Sequence, residues 1–75
     1  MEIKNFIELF AGQFDDTDEN LLTPDCEFQE LEEWGSLVAL GVIALAKTEY
    51  GKKITGQEIR SCKTIEDLFH LIQSK

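Results

Sequence analysis

Apolar residues recur at a helical interval along the first segment. Ile3, Phe6, Ile7, Phe10 and Phe14 stand at i, i+3, i+4, i+7 and i+11. That spacing puts them on one stripe of an amphipathic helix, predicted over residues 2–14. The run Asp15-Asp16-Thr17-Asp18-Glu19-Asn20 breaks the stripe, and acids at a helix C-terminus oppose the helix dipole, so this run belongs to a loop. From Leu21 to Gly35 no clean period holds and Pro24 interrupts. Leu21, Leu22, Phe28 and Leu31 are expected to pin this stretch to the core, with a short helical turn at Glu30–Glu33. Loops of such length are usually functional.

Helical signals dominate the rest. A second helix is predicted from Ser36 to about Tyr50, closed by Gly51. Thr55-Gly56-Gln57-Glu58 has the form of a capping box and predicts a short helix there. Thr64 then precedes Ile65, Leu68, Phe69 and Ile72 at i, i+3, i+4 and i+7, which predicts a last helix with Thr64 as N-cap and Glu66 and Asp67 in its first turn. Strand-like alternation is nearly absent. The pattern predicts an all-α fold: helix, long loop, helix, short helix, helix.

Size and charge narrow the picture. Seventy-five residues fit one domain, 1–75, with a thin core and little room for an enclosed active site. The 43% hydrophobic content exceeds that of disordered tails. The formal charge of -8 disfavours nucleic acid and anionic membranes as partners and favours basic docking surfaces. Residues 1–33 carry eleven acids against Lys4 alone, whereas residues 34–75 carry four acids against six bases. The acidic half ends at Glu32-Glu33, directly before Trp34-Gly35-Ser36. No signal-peptide pattern and no membrane-spanning run are evident. Cys26 and Cys62 stand singly, without metal-ligand spacing, and read as reduced thiols of a cytoplasmic protein.

Ser36 is the first candidate for chemistry. Alone, it reads as a residue opening a helix after a loop. A helix N-terminus also offers unpaired N–H groups and the positive end of the dipole, which suits an anion on that hydroxyl. Its surroundings add a resemblance. The segment Phe28-Gln29-Glu30-Leu31-Glu32-Glu33-Trp34-Gly35-Ser36-Leu37 resembles the acyl carrier protein motif, in which F-x-x-L leads into Asp-Ser-Leu. Glu49-Tyr50-Gly51-Lys52-Lys53-Ile54-Thr55 is similar to that family's end of the second helix, and Lys63-Thr64-Ile65-Glu66-Asp67-Leu68 to the opening of its last helix. The resemblance spans the whole chain.

The resemblance implies a four-helix bundle of acyl-carrier type with a long first loop and a short third helix. It implies no catalysis by this chain. It also implies a 4'-phosphopantetheine arm, attached to Ser36 by a phosphopantetheinyl transferase from coenzyme A, and acyl-loading and acyl-using enzymes as partners of a monomer. Two departures stand out. Gly35 occupies the place of the family's Asp, and the second helix lacks the acids of fatty-acid carriers. The second departure points to a specialised lipid, polysaccharide or secondary-metabolite pathway. Two alternatives stay open: an aminoacyl or peptidyl carrier, although its glycine pair is missing at Glu32-Glu33, and a degenerate carrier fold acting only as an interaction module.

The second helix reads Leu37-Val38-Ala39-Leu40-Gly41-Val42-Ile43-Ala44-Leu45-Ala46 before Lys47, apolar nearly all round. So small a domain cannot bury all of it. Trp34, Leu37, Val38, Gly41 and Val42, together with Leu45, are therefore expected to form a partner-binding patch beside Ser36, rimmed by the acids of the first half. Gly41 costs about 1 kcal/mol against alanine in a helix interior and suggests close approach by another group. Asp16, Asp18, Asn20 and Glu27 match positions of a calcium loop, but Leu21 replaces the required glycine and Pro24 intrudes, so no metal site is expected. His70 has no triad partners in the pattern and reads as an ordinary surface histidine.

Overall fold

A computed structural model describes residues 2–75. Four α-helices follow one another: α1 (Ile3–Ala11), α2 (Ser36–Tyr50), α3 (Gly56–Arg60) and α4 (Ile65–Gln73). Two single 3-10 turns, Glu19–Leu21 and Phe28–Glu30, lie between α1 and α2. No strand occurs among the described residues. The all-helical reading therefore holds, with four α-helices around one core.

The helix ends follow from their sequences. At α2, Gly51 takes the left-handed conformation (φ 65°) and returns its N–H to the Lys47 carbonyl at 3.0 Å, a conformation glycine adopts without steric cost. Thr55 and Glu58 form a reciprocal capping box on α3, and Thr64 and Asp67 form another on α4. These caps satisfy N–H groups that no helix can satisfy internally. Helix α1 is shorter than the stripe 2–14 suggests. It stops at Gly12, and single-turn bonds from Gln13 N to Phe10 O (3.0 Å) and Phe14 N to Ala11 O (3.1 Å) carry the chain on. Phe14 thus stays buried although it is outside the helix. A 3-10 turn forms at Phe28–Glu30, and the stretch expected as a helical turn at Glu30–Glu33 makes a single hydrogen-bonded turn, Trp34 N donating to Leu31 O at 3.0 Å.

The core joins a run of aromatic rings, from Trp34 through Phe10 and Phe6 to Phe69, with aliphatic side chains. Phe6, Phe10 and Phe28 are fully buried, and so are Val42, Ile65, Leu68 and Ile72. Each such side chain stabilises the fold by about 1.5–3 kcal/mol relative to exposure. The Phe10 ring meets Phe6, Phe14, Phe28 and Trp34 at centroid distances of 5.8, 5.3, 5.8 and 6.3 Å. Leu22 and Phe28 pin the long segment to the core as expected, Leu31 is half-buried, and Leu21 is exposed.

The long segment also caps two helices. Carbonyls of Cys26 and Pro24 accept from Ile65 N (3.0 Å) and Glu66 N (2.8 Å) at the start of α4. Gln29 Nε2 lies 2.7 Å from Cys62 O, 3.2 Å from Arg60 O and 3.3 Å from Ile59 O at the end of α3. One primary amide thereby donates into a cluster of three carbonyls at and just beyond the end of α3, where Ile59 O also accepts from Cys62 N at 3.0 Å.

Gly41 has a neighbour that explains its partial burial. A Cβ built there would overlap Gln13 Oε1, the far end of a flexible side chain whose own bond to Leu9 O is a long 3.5 Å. Gly41→Ala is expected to stabilise the protein by about 0.5–1 kcal/mol, the helix-propensity gain less a small loss from swinging Gln13 aside. Urea unfolding of both proteins measures this. A destabilised variant would mean that the seat of Gln13 on Gly41 holds α1 against α2.

Candidate functional site

Ser36 is exposed at the first position of α2. Three contacts set the position of the segment that presents it. Trp34 anchors it from within: its ring stands edge-on to Phe28 at 4.8 Å and stacks over Phe10 at 6.3 Å with 15° between planes. Trp34 N also donates to Leu31 O at 3.0 Å. Trp34 is half-buried, so it is first of all an anchor, with its remaining surface at the site.

Glu33 ties the same segment to the loop that follows α1. Its carboxylate accepts from Asp15 N (2.9 Å), Asp16 N (2.8 Å) and Thr17 Oγ1 (2.5 Å). The hydroxyl of Thr17 first, and the backbone N–H groups after it, lower the Glu33 pKa from the usual carboxylate value. Donors to a carboxylate favour its charged form. This clasp was not visible in the sequence, where Glu33 is one acid among eleven.

Gly35 is the N-cap of α2 and supplies no side-chain cap. Its carbonyl accepts the first helical bond, from Ala39 N at 2.9 Å. The backbone there is extended, a conformation open to any residue, and an added Cβ would meet nothing within 4 Å. The fold therefore accommodates an aspartate at this position; glycine there is not a steric requirement.

Beyond Ser36, a cleft of about 480 Å³ opens between α2 and α3. Trp34, Ala39, Leu40, Ile43 and Ile59 give it apolar walls, Ser36 and Gly35 lie at its margin, and Arg60 contributes its one formal charge. A second depression, on the α1 side of α2, is bordered by Leu37, Val38, Leu40 and Gly41 with Asp15 and Glu33 on its rim. The sequence reading missed Leu40, Ile43, Ile59 and Arg60, because their convergence depends on how α3 docks on α2.

The expected patch on α2 needs one correction. Val42 is completely buried and Leu45 nearly so, because α2 turns Val42, Leu45 and Ala46 into the core. The outward stripe is Leu37 (82% exposed), Leu40 (62% exposed), Ala44 and Lys47. Val38 and Gly41 are half-buried at its edge. Nothing in a helix that is apolar on every side tells which face turns inward.

Other candidates lie apart from Ser36. His70 is exposed on α4, edge-on to Phe69 at 6.0 Å. In the acidic loop, Asp18 caps the first 3-10 turn by accepting from Asn20 N at 2.9 Å. No group of three or more metal-ligating side chains occurs among the described residues. Cys62 is buried and Cys26 half-buried, and burial pushes both thiols up, which disfavours the thiolate. No described helix is long and apolar enough to cross a membrane. Comparison with protein-family models, characterised proteins and solved structures finds no match to this chain.

The Glu33 clasp has a testable pH dependence. A carboxylate with a lowered folded-state pKa contributes stability that is full above its unfolded value, about 4.3, and is lost as pH falls through the folded value. Glu33→Gln is expected to be less stable than wild type at pH 7 in urea unfolding. That gap is expected to close as pH drops below the ordinary glutamate value. A gap unchanged down to strongly acidic pH would show that the charge of Glu33 does not hold the loop.

Proposed function

We propose that this chain is an acyl carrier protein of a specialised biosynthetic pathway, with Ser36 as the attachment site of a 4'-phosphopantetheine arm. The observation that carries the reading is the presentation of Ser36. It is exposed at the head of a fifteen-residue helix, held by Trp34 on one side and Glu33 on the other, at the margin of an apolar cleft. The order of motifs around Phe28–Leu37, Glu49–Thr55 and Lys63–Leu68 supports the same reading.

The residues present suit such a group. The hydroxyl of Ser36 is free of intramolecular hydrogen bonds among the described residues, so it is available as a nucleophile. A transferase would join Ser36 Oγ to the β-phosphorus of coenzyme A as the pyrophosphate bond breaks. Adenosine 3',5'-bisphosphate would leave, and the hydroxyl proton would pass to the transferase. When bound, the arm supplies a thiol that holds acyl groups as thioesters. The chain itself contributes placement, not catalysis.

Partner recognition follows from the surface around Ser36. Leu37 and Leu40 project from α2, with Val38, Gly41 and the outer edge of Trp34 beside them. Asp15 and Glu33 rim the same depression. Loading and acyl-using enzymes that fit this face would offer an apolar contact ringed by Lys and Arg. Their long-range attraction would weaken with salt.

A second reading, an interaction module that carries no arm, draws on the exposed Leu37 and Leu40 and on Gly35. Intact mass after incubation with coenzyme A and a broad-specificity transferase separates the two. The carrier reading expects one added phosphopantetheine on the wild type and none on Ser36→Ala. It also expects faster modification of Gly35→Asp, which restores a carboxylate beside the hydroxyl at a position with room for it. An unmodified wild type, with a transferase active on a control carrier and with Gly35→Asp also unmodified, would favour the interaction module.

A further inference from the structure

The cleft between α2 and α3 contains a residue that the carrier reading does not by itself assign. Arg60 is the one charged side chain in an otherwise apolar and neutral lining. Ile59, its neighbour on α3, is buried and fixes the rotation of that short helix. Gly56, four residues earlier on the same helix, has no side chain. A Cβ there would lie 4.0 Å from the Arg60 guanidinium, so the guanidinium folds back over Gly56 along the cleft rather than reaching away from the protein.

The cation has no partner of its own. The one ion pair among the described residues joins Lys75 to Glu58. Glu27 and Glu30 share an adjoining shallow depression with Arg60 and Lys63, but no carboxylate lies within 4.0 Å of the guanidinium. Other bases of the chain also lack an ion pair among the described residues, but Arg60 alone among them lines the cleft that Ser36 borders, where its guanidinium can meet an anion carried on that hydroxyl.

We propose that Arg60 pairs with the phosphodiester of the arm on Ser36 and holds the resting arm along the α2–α3 cleft. This rests on the carrier reading. The chemistry matches: a guanidinium presents a planar fork of donors that suits phosphate oxygens. A phosphodiester tethered to Ser36 meets Arg60 at the high effective concentration of an intramolecular partner. A pair this exposed is weak alone and sensitive to salt, which suits a rest position that a docking enzyme has to undo. Beyond the phosphodiester, the arm would lie against Leu40, Ile43 and Ile59.

Nuclear magnetic resonance of the apo and modified proteins tests the proposal, with intact mass confirming full modification. The Arg60 Nε–Hε resonance is expected to shift on modification, and so are the methyl groups of Ile43 and Ile59. In Arg60→Gln the isoleucine shifts are expected to lose most of their size, while the apo spectra of variant and wild type match elsewhere. Raising the salt concentration on the wild type is expected to shrink the Arg60 shift. A fully modified protein whose Arg60 resonance does not move overturns the proposal alone. So do isoleucine shifts of equal size in Arg60→Gln. Failure of any transferase to add the arm removes the carrier reading and this proposal with it.

Discussion

Phe10 is the side chain on which the rest of this structure depends. It is completely buried, and its ring meets four others: Phe6 and Phe14 along its own segment, Phe28 from the long connection and Trp34 from the approach to α2. Tilted and edge-on ring pairs of this kind contribute about 0.5–1.5 kcal/mol each beyond the area they bury. Through Phe10, packing on α1 fixes where the residues just before Ser36 can lie. The site is thus on the surface, but its position is set from the core.

A chain this short has little apolar surface to spend on loops, yet residues 12–35 are ordered without long helices. Their order comes from caps. Backbone carbonyls of Pro24 and Cys26 close the start of α4, and the amide of Gln29 closes the end of α3. Each supplies partners that the helix termini need in any case. The connection is therefore part of the bundle, and α3, only five residues long, is held at both ends by groups outside itself. Where α3 sits determines the α2–α3 cleft, so the loop shapes the site indirectly as well.

Charge and apolar surface meet at the N-terminal end of α2. Most acids of the first half are solvated, but Glu33 is engaged with three donors from residues 15–17. That arrangement brings Asp15 and Glu33 to the rim of the depression beside Leu37 and Leu40. Negative charge and exposed apolar surface thus stand side by side there. On the other side of Leu40 the sign changes: the cleft that borders Ser36 has Arg60 as its charge. One leucine thus separates an acid-rimmed depression from a cleft whose one formal charge is positive.

Helix existence and most helix ends were legible in the sequence because they are local; the end of α1, at Ala11 rather than Phe14, was not. The Gly51 stop and the Thr55 and Thr64 caps use chemistry contained within a few residues, and α3 and α4 start where their caps say. Ser36 was legible as the first residue of α2 for the same reason. The rotation of α2 was not legible. A helix apolar on every side has no preferred inward face until α1 and α3 pack against it, and only then are Val42 and Leu45 buried while Leu37 and Leu40 remain outside. The Glu33 clasp, the Gln29 cap and the meeting of Ser36 with Arg60 were equally hidden. Each joins residues far apart in the chain, and the tertiary fold alone brings them within hydrogen-bonding reach or into one cleft.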